Sequence, residues 1–218
     1  MSPSKGLRAI AFDADGVLFE SVDVKTDAFR HLFASESPPV LKQIIDYHQR
    51  NGGISRFEKF KFIYREILQQ PLSEERFDKL CNEFAAQVVD RVVAAPWVPG
   101  AFEFIKKHHQ KYLLFVASAT PDPEIKTIAS KRSLSALFHE ILGSPQPKAV
   151  LLKTLLSKYD LQPTDMVYVG DAQNDWHAAR ELGIPFIWRR LVEGSTLSGY
   201  VGPTISSLDE LEETLALG

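Results

Sequence analysis

Hydrophobic and polar positions change their period twice along the chain. Residues 9–12 are apolar at every position and read as a short buried strand. From about residue 23 to residue 93, apolar side chains recur at three- and four-residue spacing, which predicts helices and no strand. Beyond residue 100, short apolar runs alternate with helical segments. The pattern therefore predicts one strand, then a helical block, then an alternating α/β region.

The alternating region predicts a parallel sheet. Strands are expected at 112–118, near 138–142, at 166–170 and at 185–189, and helices at 101–110, 123–133, 149–159, 174–182 and from Ser207 onward. Strands that are apolar on both faces and alternate with helices are typical of a sheet covered by helices on both sides. We expect residues 1–20 and 95–218 to form this α/β domain and residues 21–94 to be an inserted helical domain.

Composition narrows the classes of partner. The 218 residues carry 25 Lys and Arg against 28 Asp and Glu, and a net charge of −3 gives no general attraction to nucleic acid or to an anionic membrane. A single cysteine and an N-terminus without the apolar run of a secretory signal favour a cytoplasmic protein. No obligatory protein partner is evident. Any anion must therefore be bound at a local site.

Acidic and hydroxyl side chains stand where the predicted strands end. They are Asp13, Asp15, Ser118, Thr120 and Asp171, with Lys148 and Asp175 at the start of the helices that follow. In an open α/β sheet, ligands bind outside the carboxyl ends of the strands, so we expect these residues to converge. Clustered carboxylates repel one another and need a cation, and carboxylate oxygens suit Mg²⁺. The lysine and the hydroxyls then have a phosphate as a natural anionic ligand.

The order of four motifs carries a family resemblance. They are DADGVL at 13–18, LLFVASAT at 113–120, SPQPK at 144–148 and VGDAQND at 169–175. With these motifs the chain resembles the haloacid dehalogenase superfamily, in its phosphoglycolate phosphatase and β-phosphoglucomutase-like branch. The resemblance implies a Rossmann-like sheet, and the helical block at 21–94 is similar to that family's C1 cap. One departure is Lys148, which follows its proline instead of preceding it.

The resemblance also implies a role for each motif residue. Asp13 would be the nucleophile that forms an aspartyl-phosphate, and Asp15 would be the general acid and base. Ser118 and Lys148 would bind the phosphoryl oxygens, with Thr120 as a neighbouring substrate ligand. The metal ligands would be Asp13, the Asp15 carbonyl and Asp171, while Asp175 would hold Lys148 or a metal-bound water. The implied activity is a Mg²⁺-dependent phosphatase acting on a small phosphorylated metabolite.

Three alternatives remain open at this point. A phosphomutase shares the core residues and differs in whether a sugar or water accepts the phosphoryl group. A catalytically inactive binding protein could keep the same fold. A phosphonatase would need a buried cap lysine for a Schiff base, and the sequence marks neither Lys25 nor Lys59 as desolvated.

The segment at 46–62, DYHQRNGGISRFEKFKF, is the candidate for substrate selection. Gly52 and Gly53 allow the backbone to approach a ligand, and Arg56 or Lys59 would reach an anionic group far from the reacting phosphorus. The alternative interpretation is an ordinary corner between two helices, with both cations facing water.

Overall fold

The computed structural model describes residues 6–216 and contains a parallel sheet of six strands in the order β3-β2-β1-β4-β5-β6. The strands are β1 Ala9–Phe12, β2 Leu113–Pro121, β3 Glu140–Ser144, β4 Met166–Gly170, β5 Phe186–Arg189 and β6 Thr204–Ile205. All the strand pairs in this sheet are parallel. The predicted α/β architecture is confirmed.

Helices fall into two groups along the chain. The first group lies between β1 and β2: α1 Val22–Leu32, α2 Pro38–Arg50, α3 Arg56–Phe62, which continues as a π-helical turn Ile63–Ile67, and α4 Glu74–Ala94. The second group alternates with the strands: α5 Ala101–His108, α6 Asp122–Lys131, α7 Lys148–Lys158, α8 Gln173–Leu182 and α9 Leu211–Ala216. Within residues 6–216, no helix combines the length and the apolar character that crossing a bilayer requires.

The central strand β1 is buried on both faces. Ile10 and Phe12 belong to a hydrophobic cluster that includes side chains of α5, α6 and α9, whereas Ala9 and Ala11 belong to a second cluster with α7 and α8. Because helices cover both faces, β1 is apolar at every position. The residue that follows it, Asp13, therefore emerges at the middle of the sheet edge.

Helices α1 to α4, here called the cap, have an aromatic core of their own. Phe29 contacts Phe60 and Phe84 with ring centroids 5.4 Å and 5.2 Å apart. Where the chain re-enters the sheet domain, Arg132 donates hydrogen bonds to the carbonyls of Val92, Val93 and Ala95. This contact fixes the end of α4 against the α/β domain. The division into domains at 20/21 and 94/95 stays a prediction.

The structure differs from the predicted strands in two places. Strand β2 continues beyond Ser118 to Pro121, and its register with β3 is irregular between Ala117 and Pro121. This irregular stretch carries Ser118 and Thr120. The sixth strand, β6, was not predicted because only two residues pair with β5, which leaves no periodic signal.

Substitution of Phe60 should destabilise the protein much more than substitution of Phe62 in the same helix. Phe60 is fully buried, so Phe60→Ala leaves a cavity and should cost about 3–5 kcal/mol of unfolding free energy. Phe62 is half-buried and stacks on Tyr47, so Phe62→Ala should cost about 1–2 kcal/mol. Urea unfolding of both variants measures the difference. Equal losses would contradict the assignment of Phe60 to the cap core.

Candidate active site

The predicted site residues of the α/β domain do converge at the carboxyl ends of β1, β2 and β4. Asp13 directly follows β1; its backbone N–H donates to Val169 O in β4 at 2.9 Å, and its Oδ1 accepts from the N–H of Ala14 at 2.7 Å. Ser118 and Thr120 are buried at the end of β2. These backbone contacts hold the Asp13 side chain at the centre of the edge.

Lys148, the first residue of α7, joins two carboxylates. Its Nζ lies 2.6 Å from Asp13 Oδ2 and also donates to Asp175 Oδ1. Burial alone would lower the pKa of Lys148, but the charges of Asp13 and Asp175 outweigh it and raise that pKa above its usual value. Asp175 also accepts from the Tyr168 hydroxyl at 2.7 Å and from the N–H of Ala172 at 3.0 Å. Its carboxylate thus contacts Lys148 and is itself held in place by Tyr168 and the backbone of Ala172.

Asp13, Asp171 and Asp175 form an acidic cluster in which one oxygen from each lies within 4.8 Å of the others. Burial raises the pKa of Asp13 to about 6, and the charges of Asp175 and Asp15 add to this effect while Lys148 opposes it. Burial and the charges of Asp175 and Asp13 also raise the pKa of Asp171 well above its usual range. The cluster therefore has more negative charge than Lys148 balances.

Gly16 leaves room for this cluster. It adopts a left-handed conformation with φ of +75°, and a Cβ at this position would lie 2.6 Å from Asp171 Oδ2. Only glycine fits here without displacing the carboxylate. The acidic cluster has more carboxylate oxygens than Lys148 can pair with, and Gly16 leaves space beside Asp171. Both features suit a small divalent cation.

Asp15 turns away from the acidic cluster toward the cap. Its carboxylate accepts from Ser21 Oγ at 2.6 Å, from Thr120 Oγ1 at 3.0 Å and from Lys25 Nζ. Burial would raise the pKa of Asp15, but the Lys25 ammonium and these hydrogen bonds outweigh it and hold the pKa below its usual value. Since the side chain is engaged in this way, the backbone carbonyl is the part of Asp15 that fits the predicted metal contact.

The glycine turn of the cap lies directly over the site. Asn174 Nδ2 donates to Gly52 O at 2.7 Å, and a Cβ on Gly53 would lie 3.5 Å from Lys148 Nζ. The backbone of the paired glycines therefore lies close to Lys148 and Asn174, and its approach to a ligand stays a prediction. This position brings the cap against the lysine of the acidic cluster.

Arg56 and Lys59 of the cap segment are both buried and do not face water. Arg56 is 7% exposed and forms a two-pronged ion pair with Glu124 of α6, with Nη1 2.8 Å from Oε2. Lys59 is 4% exposed, and its Nζ lies 3.1 Å from both Nδ1 and the carbonyl oxygen of His48. Burial and the charge of Lys25 lower the pKa of Lys59 to about 7. The desolvation of Lys59, which the sequence did not mark, is thus a property of the folded chain.

A small cavity of about 40 Å³ lies between the cap and the α/β domain. Its lining includes Lys25, His48, Arg56, Lys59, Thr120 and Glu124. A second cavity of about 230 Å³ has Gly53, Lys148 and Asn174 in its wall. The two cavities share Ile54 and Ala119 in their linings.

Sequence reasoning missed three functional contacts. Lys25 was considered only as a Schiff-base candidate, although it lies on the first helix after Asp15 and contacts that carboxylate. The pattern at 166–170 predicts only an apolar strand, and nothing in it besides the hydroxyl of Tyr168 indicates a bond to Asp175. Glu124 lies 68 residues from its partner Arg56, and nothing in a single sequence connects them.

Comparisons with known proteins agree with this geometry. The model of the haloacid dehalogenase-like hydrolase family matches residues 10–189. A phosphorylated carbohydrates phosphatase of Thermotoga maritima is 28% identical over 190 residues, which cover 84% of each chain. A phosphoglycolate phosphatase of Vibrio vulnificus is 27% identical over 188 residues, which cover 81% of each.

Solved structures share the fold at lower identity. A predicted phosphoglycolate phosphatase from Haemophilus somnus superimposes with a TM-score of 0.74 at 18% identity, over 96% of this chain and 98% of that one. CbbY from Rhodobacter sphaeroides, solved with xylulose-(1,5)bisphosphate, has a TM-score of 0.73 at 19% identity, over 94% and 96%. The family match over most of the chain and the convergence of its motifs at one sheet edge show that this protein belongs to the haloacid dehalogenase-like hydrolases.

Proposed function

We propose that the protein is a Mg²⁺-dependent phosphatase that hydrolyses a small phosphorylated metabolite through an aspartyl-phosphate. The observation that carries the proposal is the position of Asp13, held by Lys148 beside the carboxylates of Asp171 and Asp175. A carboxylate nucleophile next to a buried cation and a divalent-metal site meets the two needs of phosphoryl transfer, positioning and neutralisation of charge.

In the proposed first step, an Asp13 oxygen attacks phosphorus and the bond from phosphorus to the leaving oxygen breaks. Asp15 gives its proton to that oxygen, and the phosphoryl group stays on Asp13 as an acyl phosphate. In the second step, water attacks the phosphorus while Asp15 takes a proton from it, which releases phosphate and regenerates Asp13. The contacts of Asp15 with Lys25, Ser21 and Thr120 stabilise the ionised form that this second step requires.

Lys148 and Ser118 are the proposed ligands of the phosphoryl oxygens. Lys148 already contacts the nucleophile, so a phosphoryl group on Asp13 would lie against its ammonium. Ser118 Oγ accepts from the N–H of Thr120 at 3.1 Å, which leaves its own O–H free to donate to a phosphoryl oxygen. Thr120 Oγ1 contacts both Asp15 and Lys25 and would border the leaving group.

Asp13, Asp171 and the Asp15 carbonyl are the proposed holders of Mg²⁺. When bound, the ion would neutralise negative charge on the phosphoryl group and on the two carboxylates. Asp175 is proposed to act through Lys148, because its oxygens already accept from Lys148, Tyr168 and Ala172. The relatives named as phosphatases of phosphoglycolate and of phosphorylated carbohydrates support a small phosphorylated metabolite as the substrate.

Asp13→Asn should abolish turnover and keep the fold, because an amide is a poor nucleophile and a poor metal ligand. The expected loss in kcat is at least about 1,000-fold on an aryl phosphate. Asp23→Asn, at an exposed acid in the first turn of α1, is the matched control and should keep full activity. Retention of more than a few per cent of activity by Asp13→Asn would refute the nucleophile assignment. Inactivity of the wild type with Mg²⁺ would favour the alternative that the protein keeps the fold but only binds a ligand.

Asp171→Asn should stabilise the protein in chelator and remove its response to Mg²⁺. The pKa of Asp171 is raised in the folded state, so the fold loses stability as the pH rises from 3.8 toward that raised pKa, and removal of the carboxylate should gain about 0.5–2 kcal/mol at pH 7. The gain should vanish as the pH falls below the ordinary value of 3.8, where both states carry the proton. Asp175→Asn should instead lose about 3–5 kcal/mol, because it takes a partner from Lys148.

The measurement for both variants is urea unfolding with chelator and with Mg²⁺. Mg²⁺ should stabilise the wild type, because a ligand of the folded state shifts the unfolding equilibrium.

Activity of the wild type should disappear in excess chelator and return with Mg²⁺, whereas Ca²⁺, which prefers more ligands, should inhibit. Full activity in chelator, or a destabilising Asp171→Asn, would overturn the metal proposal.

The identity of the product separates a phosphatase from a mutase. If water is the acceptor, one phosphate should appear for each molecule of substrate consumed. Assays of free phosphate and of remaining substrate, run on a panel of phosphorylated metabolites, measure this ratio. Isomerised sugar phosphate without release of phosphate would assign the protein to the mutases.

A further inference from the structure

Two neighbouring side chains of β5 reach the loops that carry the proposed metal ligands. Trp188 Nε1 donates to the backbone carbonyl of Asp171 at 3.0 Å, and Arg189 Nη1 donates to the backbone carbonyl of Gly16 at 3.2 Å. Both side chains are buried. Because consecutive strand residues point to opposite faces of a sheet, the two contacts approach the sheet edge from opposite sides. Strand β5 thus contacts both loops, although it contributes none of the proposed ligands.

Two further acceptors hold the guanidinium of Arg189. Its Nη1 and Nη2 form a two-pronged ion pair with Glu20, at 3.2 Å and 2.5 Å, and its Nε donates to Ser206 O at 3.1 Å. A buried guanidinium is costly unless its charge and its donors are paired, and these contacts pair them. The donor that contacts Gly16 O is therefore fixed in its position.

The peptide group between Asp15 and Gly16, whose carbonyl is the proposed metal contact, is restrained on both sides. Its N–H belongs to Gly16 and donates to Phe19 O at 2.8 Å, and the next carbonyl along the chain, Gly16 O, accepts from Arg189. A Cβ on Gly16 would lie 2.6 Å from Asp171 Oδ2, so this turn packs closely against the other proposed ligand. A shift of the turn would therefore move the Asp15 carbonyl relative to Asp171.

The loop of Asp171 needs a restraint of its own. Burial and the charges of Asp175 and Asp13 raise the pKa of Asp171, because its ionised carboxylate is repelled by these neighbours. The indole N–H of Trp188 holds the backbone of Asp171 against that repulsion. A ligand that is already held in position binds a metal more tightly, because binding then costs less conformational entropy.

We infer that Trp188 and Arg189 are positioning residues, which set the distance between Asp171 and the Asp15 carbonyl and thereby the affinity for Mg²⁺. The inference rests on the proposed function, because that proposal assigns these two groups to the metal. Loss of a side chain that orients a metal ligand typically weakens metal binding by about 10- to 100-fold. Neither Trp188 nor Arg189 contacts the nucleophile or the phosphoryl group in this assignment, so the chemical step should be little affected.

Calorimetric titration of the whole, metal-free protein with MgCl₂ tests the inference. Trp188→Phe keeps an aromatic ring and removes the indole N–H, and Arg189→Met removes the donor to Gly16 O. Each should raise the Kd for Mg²⁺ by about 10- to 100-fold, while kcat on an aryl phosphate at saturating Mg²⁺ stays within about threefold. Arg189→Lys should recover most of the affinity, because Nη1 alone contacts both Gly16 O and Glu20 and an ammonium can replace it.

Trp176→Phe and Glu20→Gln are the matched controls. Trp176 packs against the hydrophobic cluster that contains Trp188, but its indole N–H makes no hydrogen bond within residues 6–216. Trp176→Phe should therefore bind Mg²⁺ as the wild type does. Glu20→Gln removes the charge partner of Arg189 and leaves its contact with Gly16 O, so it should lower the urea midpoint but keep the Kd within about threefold.

Urea unfolding in chelator first establishes that each variant is folded, and Trp188→Phe decides alone if Arg189→Met is not. Wild-type affinity for Mg²⁺ in the folded β5 variants would overturn the inference and leave the proposed function standing. An equal loss of affinity in Glu20→Gln and Arg189→Met, or a loss of kcat at saturating Mg²⁺ as large as the loss of affinity, would also overturn it. A wild type that binds Mg²⁺ but releases no phosphate would refute the proposed function and leave the positioning role standing, whereas a wild type that binds no Mg²⁺ would overturn both.

Discussion

The ion pair between Lys148 and Asp13 is the contact on which the arrangement of the site depends. Both groups are nearly fully buried, and a buried ion pair is stable only when its remaining donors and acceptors are satisfied. Asp175, Tyr168 and the backbone after β4 supply those partners. The carboxylate of Asp13 is therefore fixed where the central strand ends, while Asp171 beside it has no cation of its own in the acidic cluster. Such an imbalance costs stability and is characteristic of a site prepared for a metal and a phosphoryl group.

The two carboxylates of the first motif depend on different parts of the fold. Asp13 is paired with Lys148 of the α/β domain, whereas Asp15 is paired with Lys25 of the cap. Their environments shift the two pKa values in opposite directions, upward for Asp13 and downward for Asp15. Because the counter-ion of Asp15 comes from the cap, the ionised state of that residue is tied to contact between cap and sheet. The position of the cap thus bears on the ionisation of Asp15.

Sequence periodicity predicted the sheet and the convergence of Asp13, Asp171 and Lys148, because strand ends in a parallel sheet meet at one edge. It did not predict which cation pairs with which acid. Lys25 and Glu124 find their partners only through the packing of α1 and α6 against the site. The burial of Lys59 was equally hidden, because RFEKFKF places this lysine between aromatic residues, where a charged side chain is more often expected on the surface. Contacts distant in the chain decide these environments, and local pattern carries no signal of them.

Arg56 and Lys59 differ in whether a carboxylate balances their charge. Both are buried cations on α3, both line the same cavity, and the sequence offered no reason to separate them. Glu124 neutralises Arg56 and ties it to α6, so a ligand that bound Arg56 would have to compete with a two-pronged ion pair. Lys59 instead contacts the ring and the carbonyl of His48 and lies over the ring of Phe29, and burial and the charge of Lys25 lower its pKa to about 7. The two cations therefore accommodate burial in different ways, Arg56 by pairing with a carboxylate and Lys59 by a lowered pKa.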